Sequence, residues 1–152
     1  MDAFVAASRA LVAVAARSVG TIDEDITLPQ FRVLVVLYTQ GPQSAGDLAA
    51  ALEVNPSTAS RMIERLVRKR LVQRTRARRD RRILRVTLTA DGQRVVTAVM
   101  ERRRGEIERI LAAMPVAGRE PLTGALRAFA EAAGEAPEQD WALGWEVSPE
   151  EK

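Results

Sequence analysis

Cysteine and histidine are both absent from this chain of 152 residues, and lysine occurs only at Lys69 and Lys152. Without cysteine there can be no disulfide, no thiolate metal ligand and no thiol nucleophile. Without histidine, no imidazole can act as a general base near neutral pH, and the usual zinc ligand sets are lacking. The sequence also has no glycine-rich phosphate loop and no recognisable pair of catalytic carboxylates. We therefore predict a protein without catalytic residues, metal or cofactor, and not an enzyme.

Long hydrophobic runs are missing too. The uncharged stretches at residues 10–16 and 33–46 are too short or too polar to span a bilayer. The first helix resembles a signal peptide only in part, because Asp2 stands where a basic residue is expected and Arg9 interrupts the apolar run. The sequence therefore predicts a cytoplasmic protein that makes no membrane contact.

Charge is present, but it is unevenly distributed. Residues 61–85 hold 12 Lys and Arg against two acidic residues, a net charge of +10, whereas the rest of the chain holds 11 basic and 18 acidic residues, a net charge of −7. A block of this density is typical of a surface that binds a polyanion. A solvated basic surface is the alternative, although such surfaces usually mix charges of both signs.

Two short helices joined by a tight turn are predicted within the first half of the chain. A capping box at Ser44–Asp47 begins the first helix, and Asn55 with Pro56 begins the second, which extends to about Lys69. The pair is typical of a helix-turn-helix, in which the start of the second helix meets base edges in the major groove. A plain helical hairpin inside a core is the alternative. The candidate DNA contacts at the start of the second helix are Ser57, Thr58, Ser60 and Arg61.

An arginine-rich loop follows, between predicted strands at residues 71–76 and 83–88. A hairpin after a recognition helix forms a wing, and arginines at its tip can enter the narrow, electronegative minor groove of DNA. The hairpin therefore favours a winged helix-turn-helix over residues 27–92 rather than a helical hairpin in a core.

Apolar helical surface remains at both ends of the chain. Helices are predicted within residues 2–20 and 95–134, and a small winged domain cannot cover all of their apolar faces. Packing against a second copy is the simplest solution, so these segments are predicted to be dimerisation helices of a homodimer. Arg9 and Arg17 are expected in ion pairs at the dimer surface, with an acid-binding crevice as the alternative. The predicted fold is mainly α with a small β-hairpin wing, a single unit over residues 1–152.

The remaining segment, residues 135–152, is acidic and holds both tryptophans, Trp141 and Trp145. A disordered tail is the ordinary expectation for a terminus. Exposing two tryptophans to water is unfavourable, however, and we therefore expect the tail to dock on the rest of the protein.

The order of these elements and several short motifs resemble the MarR family, the multiple-antibiotic-resistance regulators of bacteria. The matching segments are residues 28–34 (LPQFRVL), 48–54, 57–61 (STASR), 66–72 (LVRKRLV), 80–82 (DRR) and 86–92 (VTLTADG). The most specific part is the aspartate and arginines of the wing followed by the L-T-x-x-G pattern that ends at Gly92. The resemblance covers roughly residues 5–133.

The resemblance implies a homodimer whose two winged domains bind a palindromic operator in double-stranded DNA. It also implies a transcriptional regulator, in many members a repressor that a small aromatic or phenolic ligand releases. Members that sense oxidation or metals do so through cysteine or histidine, which this chain lacks. An effector-independent or chromosome-organising winged-helix protein is the alternative function. The sequence has no diagnostic polar constellation for a ligand, so no ligand-binding residue is assigned.

We predict a separate role in DNA binding for each group of candidate residues. Arg61 is predicted to donate a bidentate pair to guanine, while helix capping alone is the alternative for Ser57 and Thr58. Arg82 is predicted to enter the minor groove, and Asp80 to orient an arginine rather than to touch DNA, with a turn-forming role as its alternative. The predicted phosphate contacts are Arg65, Arg78, Arg79 and Arg81.

The chain departs from the family pattern after the recognition helix and in the turn before it. Many relatives have glycine where this chain has Arg70 and Glu53. Such positions often need a positive φ angle, which costs a residue with a side chain on the order of 1 kcal/mol.

Overall fold

The structure is a computed structural model that describes residues 1–22, 25–76 and 84–135. Within these residues the chain forms six helices and one β-hairpin. The elements are α1 (Asp2–Ile22), α2 (Leu28–Gln40), α3 (Ala45–Ala51), α4 (Pro56–Arg68), β1 (Val72–Arg76), β2 (Leu84–Leu88), α5 (Ala90–Ala112) and α6 (Val116–Ala132). This is the mainly α fold with a small hairpin that the sequence predicts.

The predicted helix starts are largely confirmed by their caps. Thr27 and Gln30 form a complete capping box at the start of α2, and Ser44 and Asp47 form another at the start of α3. Asn55 occupies the N-cap position of α4, as the sequence predicts, but its side chain makes no capping hydrogen bond to the backbone. Pro56 suits the first turn because its missing N–H would have no partner inside the helix there. The N–H of Thr58 donates to the backbone carbonyl oxygen of Asn55 at 3.0 Å.

Helix α2 is the centre of the hydrophobic core. It contacts α1, α3, α4, α5 and β2. Phe31, Leu34 and Leu37 are buried, as the helical spacing predicts, but Val33 and Val36 on the other side are buried as well. A helix surrounded by partners loses its polar face, and the core of the winged domain therefore encloses α2 on several sides.

The hairpin is held in place by a third short segment that the sequence does not reveal. Strands β1 and β2 pair antiparallel, from Val72 opposite Leu88 to Arg76 opposite Leu84. Gln43, just before α3, pairs with Val86 through backbone hydrogen bonds of 3.1 and 2.7 Å. The hairpin is thereby fixed to the start of the helix-turn-helix.

The turns on either side of the recognition helix have the geometry expected from the family pattern. Glu53 has a φ of 54° and Arg70 a φ of 60°, both in the left-handed region. The backbone therefore keeps the shape that favours glycine, and two residues with side chains carry the strain.

The terminal helices leave much apolar surface uncovered within one chain. Only Val14, Ser18 and Val19 of α1 are buried, and α6 has no buried residue. Arg17 pairs with the buried Glu106 of α5 in the same chain, at 2.9 Å between Nη2 and Oε2. The ion pair expected for Arg17 is therefore present, and its partner lies in the same chain.

Helix α1 also meets the length and composition of a membrane-spanning helix. Its uncharged stretches are short, but the 21 residues together are apolar enough because only Asp2, Arg9 and Arg17 are charged. Core helices of water-soluble domains and signal sequences meet the same criterion. The Arg17–Glu106 ion pair favours α1 as a part of this domain.

The predicted helical segment 95–134 forms two helices. Helix α5 ends at Ala112, and α6 begins at Val116. The guanidinium of Arg119 donates to the carbonyl oxygens of Ala112 and Met114, at 2.8 and 3.0 Å. These bonds satisfy carbonyl groups that the end of a helix leaves unpaired.

Candidate nucleic-acid interface

The exposed face of α4 carries side chains that suit DNA. Ser57, Arg61 and Arg65 lie on successive turns and are all exposed, opposite the buried Ala59, Ile63 and Leu66. The Nε atom of Arg61 donates to the carbonyl oxygen of Ser57 at 3.3 Å, so the arginine lies along the helix toward its N-terminus. The spacing of four residues places the three side chains in one stripe.

Thr58 and Ser60 lie on the two flanks of this stripe and are half-buried. The hydroxyl of Thr58 donates to Oδ1 of Asn55 at 3.4 Å, which ties the side chain to the turn before the helix. Thr58, Arg61, Met62 and Arg65 line a shallow depression of about 240 Å³. Thr58 therefore combines a local structural contact with access to a concave part of the surface.

The basic surface continues beyond the stripe. Arg68 at the end of α4, Arg70 after it, and Arg74 and Arg76 on β1 are all exposed. Sequence reasoning missed Glu64, which is exposed on the same face of α4. Its position follows from the helical period, and a carboxylate on this face can accept a hydrogen bond from the amino group of cytosine.

An ion pair that the sequence did not reveal joins the helix-turn-helix to the wing. Oδ2 of Asp47 accepts from the backbone N–H of Ser44 at 3.0 Å and from Nη1 of Arg85 on β2 at 3.2 Å. The hydrogen bonds from Ser44, followed by the charge of Arg85, hold the pKa of Asp47 below its ordinary value. Asp47 thus orients a wing arginine from the start of α3, which is the kind of role predicted from the sequence for Asp80.

The predicted contacts at the tip of the wing lie outside the described residues, namely Arg78, Arg79, Asp80, Arg81 and Arg82. Their roles stay predictions. The two strand ends that this loop connects, Arg76 and Leu84, are paired with each other.

A second concave site lies between α2 and α5. It is a cavity of about 620 Å³ with Phe31, Val35, Val36 and Met100 in its wall and Arg103 beside them. Over residues 1–22, 25–76 and 84–135, no group of three or more acidic side chains could hold a metal ion.

Comparison with known proteins identifies the family. The family model described as MarR matches residues 26–84, which cover α2 to the start of β2. The crystal structure of RV1404 from Mycobacterium tuberculosis is similar to this chain with 47% identity and a TM-score of 0.86, over 90% of this chain and 93% of that one. A mutant of MepR from S. aureus bound to an oligodeoxyribonucleotide has the same fold, with 23% identity and a TM-score of 0.66, over 86% of this chain and 94% of that one.

Curated relatives match about half of this chain. The HTH-type transcriptional repressor MdtR of Bacillus subtilis is 32% identical over 88 residues, which are 58% of this chain and 57% of that protein. The chain spans little more than half the length of the curated relatives that it matches. The family model and the likeness to RV1404 along almost the whole fold lead to one conclusion. The chain belongs to the MarR family of winged helix-turn-helix proteins.

Proposed function

We propose that the protein is a homodimeric transcriptional regulator that binds palindromic operators in double-stranded DNA and acts as a repressor. The observation that carries the proposal is the exposed stripe of Ser57, Arg61 and Arg65 on α4, with more exposed arginines at the end of this helix and on β1. A relative of the same fold is described as bound to an oligodeoxyribonucleotide, and another as a transcriptional repressor. No catalytic role is proposed, and the protein acts in the cytoplasm, where its DNA is.

Within this function the stripe reads the operator. In this proposal Arg61 donates two hydrogen bonds to guanine O6 and N7, which is worth about 1–3 kcal/mol of discrimination against other bases. Ser57 and Ser60 contact bases or phosphates at the start of the helix, and Arg65 contacts phosphate. Phosphate contacts by Arg78, Arg79 and Arg81, the minor-groove role of Arg82 and the orienting role of Asp80 complete the proposal.

Dimerisation is supported by the uncovered apolar surface of the terminal helices. Phe4 is 64% exposed, Val12 58%, Val116 76% and Phe129 59%. The rings of Phe4 and Phe129 lie 6.1 Å apart between centroids, so α1 and α6 form one apolar patch. A two-fold axis through such a patch relates two recognition helices and requires inverted half-sites in the DNA. A folded monomer in light scattering at micromolar concentration would contradict this part.

The cavity between α2 and α5 supports release by a small aromatic acid. Its apolar wall suits an aromatic ring, and the guanidinium of Arg103 suits a carboxylate or phenolate. The alternative is a winged-helix protein that binds DNA without an effector or organises the chromosome. A shift of operator affinity in the presence of benzoate and related acids separates these functions, because only the first responds to ligand.

Operator selection from a random DNA pool tests the proposal directly. We expect enrichment of inverted repeats whose half-sites are one helical turn apart, about 10 base pairs. Random DNA bound as tightly as every selected sequence would contradict sequence-specific regulation and favour the chromosome-organising alternative.

A further inference from the structure

The cavity between α2 and α5 contains a cation that lacks a full set of partners. Arg103 is half-buried, and its guanidinium carbon lies 5.7 Å from the ring centroid of Phe31. Its Nε atom is buried and has no hydrogen-bond partner among the described residues. Burial lowers the pKa of Arg103, because desolvation disfavours the charged form of the guanidinium. An anion that entered the cavity would offset this desolvation cost.

The end of α6 forms part of the rim of the same cavity. Ala133, Gly134 and Glu135 line it, opposite Leu28 and Arg32 of α2. Gly134 has a φ of 77°, and the N–H of Glu135 donates to the carbonyl oxygen of Ala130 at 3.0 Å. This arrangement is a Schellman motif, which ends the helix and turns the chain at a fixed angle. Glu135, the last described residue, therefore lies at the rim of the cavity.

The sequence beyond Glu135 contains the two kinds of group that would complement the cavity, namely carboxylates for Arg103 and aromatic rings for the apolar wall. Residues 136–152 contain five carboxylate side chains and one lysine, and they hold the only tryptophans of the protein. Asp140 and Trp141 stand next to each other, six residues or fewer beyond Glu135. Six extended residues span up to about 20 Å, and a short tether gives its segment an effective concentration in the millimolar range.

We propose that the segment around Asp140 and Trp141 docks in the cavity between α2 and α5 of its own chain, with the tryptophan ring on the apolar wall and a carboxylate facing Arg103. A tryptophan can bury roughly 150–250 Å² of surface in such a contact. The cavity of about 620 Å³ has room for one indole ring with a neighbouring carboxylate. The segment is then an internal occupant of the site that the proposed function gives to an aromatic acid, and a free acid has to displace it. Only this last point rests on the proposed function.

Intrinsic tryptophan fluorescence of the full chain tests the docking without DNA or ligand, since both tryptophans are in the tail. In the native protein we expect emission at shorter wavelength and several-fold weaker quenching by acrylamide than in the urea-unfolded chain. Tryptophans that are as accessible in the native protein as in urea would overturn the proposal. Operator binding is not measured here, so this result and a failure of DNA binding are distinguishable.

Neighbouring arginines of α5 provide a matched pair of variants. Arg103→Gln should raise quenching toward the unfolded value, whereas Arg102→Gln, one residue away and exposed, should leave it unchanged. Equal quenching in the two variants would overturn the role of the cavity. If Arg103→Gln does not fold by circular dichroism, Arg32→Gln at the exposed rim serves instead and should give the same direction of change.

A mixing experiment separates docking in the same chain from docking in a second copy. Arg103→Gln chains are mixed with an excess of chains in which Trp141 and Trp145 are replaced by phenylalanine, so that only the first kind contributes tryptophan fluorescence. We expect quenching of the Arg103→Gln tail to stay high, because in the proposed arrangement each tail docks only in the cavity of its own chain, and this variant has lost the Arg103 cation there. Protection restored by the mixture would overturn docking within one chain.

Discussion

The hydroxyl of Thr89 donates a hydrogen bond to the carbonyl oxygen of Arg70 at 2.6 Å, across the gap between the wing and the recognition helix. The same hydroxyl accepts from the backbone N–H of Gly92 at 3.1 Å and so caps α5. The N–H of Thr89 also donates to the carbonyl oxygen of Leu71. One side chain therefore fastens the end of α4 to the start of α5, and the recognition helix and the long terminal helix keep a fixed relation.

Thr89→Val should lower the free energy of unfolding by about 1–2 kcal/mol, because it removes the cap of α5 and the bond to Arg70 with little change of shape. Chemical denaturation measures this difference. Thr97→Val, on the exposed side of the same helix, should change the free energy by less than about 0.5 kcal/mol. Equal effects of the two substitutions would show that the hydroxyl of Thr89 has no special role.

Gly92→Ala should destabilise the protein strongly. An added Cβ at Gly92 would lie 2.1 Å from the carbonyl oxygen of Leu71, a backbone atom that cannot move without breaking the junction with α5. We expect a loss of at least about 3 kcal/mol, at the upper end of overpacking costs. Gly105→Ala in the same helix meets nothing within 4 Å and should instead stabilise the helix, by about 0.5–1 kcal/mol. Melting temperatures that move in the same direction would contradict this assignment.

Arg70→Gly should raise the free energy of unfolding by up to about 1 kcal/mol, because glycine relieves the left-handed strain at a φ of 60°. Arg68→Gly removes the same charge from a helical position and should cost about 0.5–1 kcal/mol. Urea denaturation of the two variants side by side tests the contrast. A loss of stability in Arg70→Gly as large as that in Arg68→Gly would mean that the turn does not store strain.

Arg61→Ala should weaken binding to a selected operator by about 1–3 kcal/mol and relax the preference at one base of each half-site. Its effect on random DNA should be much smaller. Arg76→Ala, on the exposed side of β1, should weaken binding to both kinds of DNA by the same factor. It should also lower the slope of log binding constant against log salt concentration by about one unit per subunit. Filter binding at several salt concentrations measures both variants, and an equal factor on both DNAs for Arg61→Ala would exclude base reading.

Asp47 should make stability depend on pH on the acidic side. The hydrogen bonds from Ser44 and the charge of Arg85 lower its pKa in the folded protein below the ordinary value of 3.8. The stability that the carboxylate contributes is therefore present above pH 3.8 and is lost as the pH falls through the lowered pKa. The difference in unfolding free energy between the wild type and Asp47→Asn should be constant near neutral pH and shrink in acid. Arg85→Gln should weaken this dependence only in part, because the bonds from Ser44 remain.

The sequence determined the features that depend on neighbouring residues. The capping boxes that begin at Thr27 and Ser44 could be predicted because a cap involves residues three positions apart. Positive φ angles at Glu53 and Arg70 could be inferred from the family pattern, since a turn imposes its geometry locally. The stripe of Ser57, Arg61 and Arg65 follows from the helical period alone.

The tertiary structure decided the contacts between residues far apart in the chain. Arg17 and Glu106 are separated by 89 positions, and Asp47 and Arg85 by 38, so no local pattern connects them. The same holds for Gln43 beside Val86 and for the burial of Val33 and Val36, which depends on every element around α2. Local propensity decides which helices and strands form. Which charged and polar side chains meet is decided only when the apolar faces pack, because packing sets the distances between residues far apart in the chain.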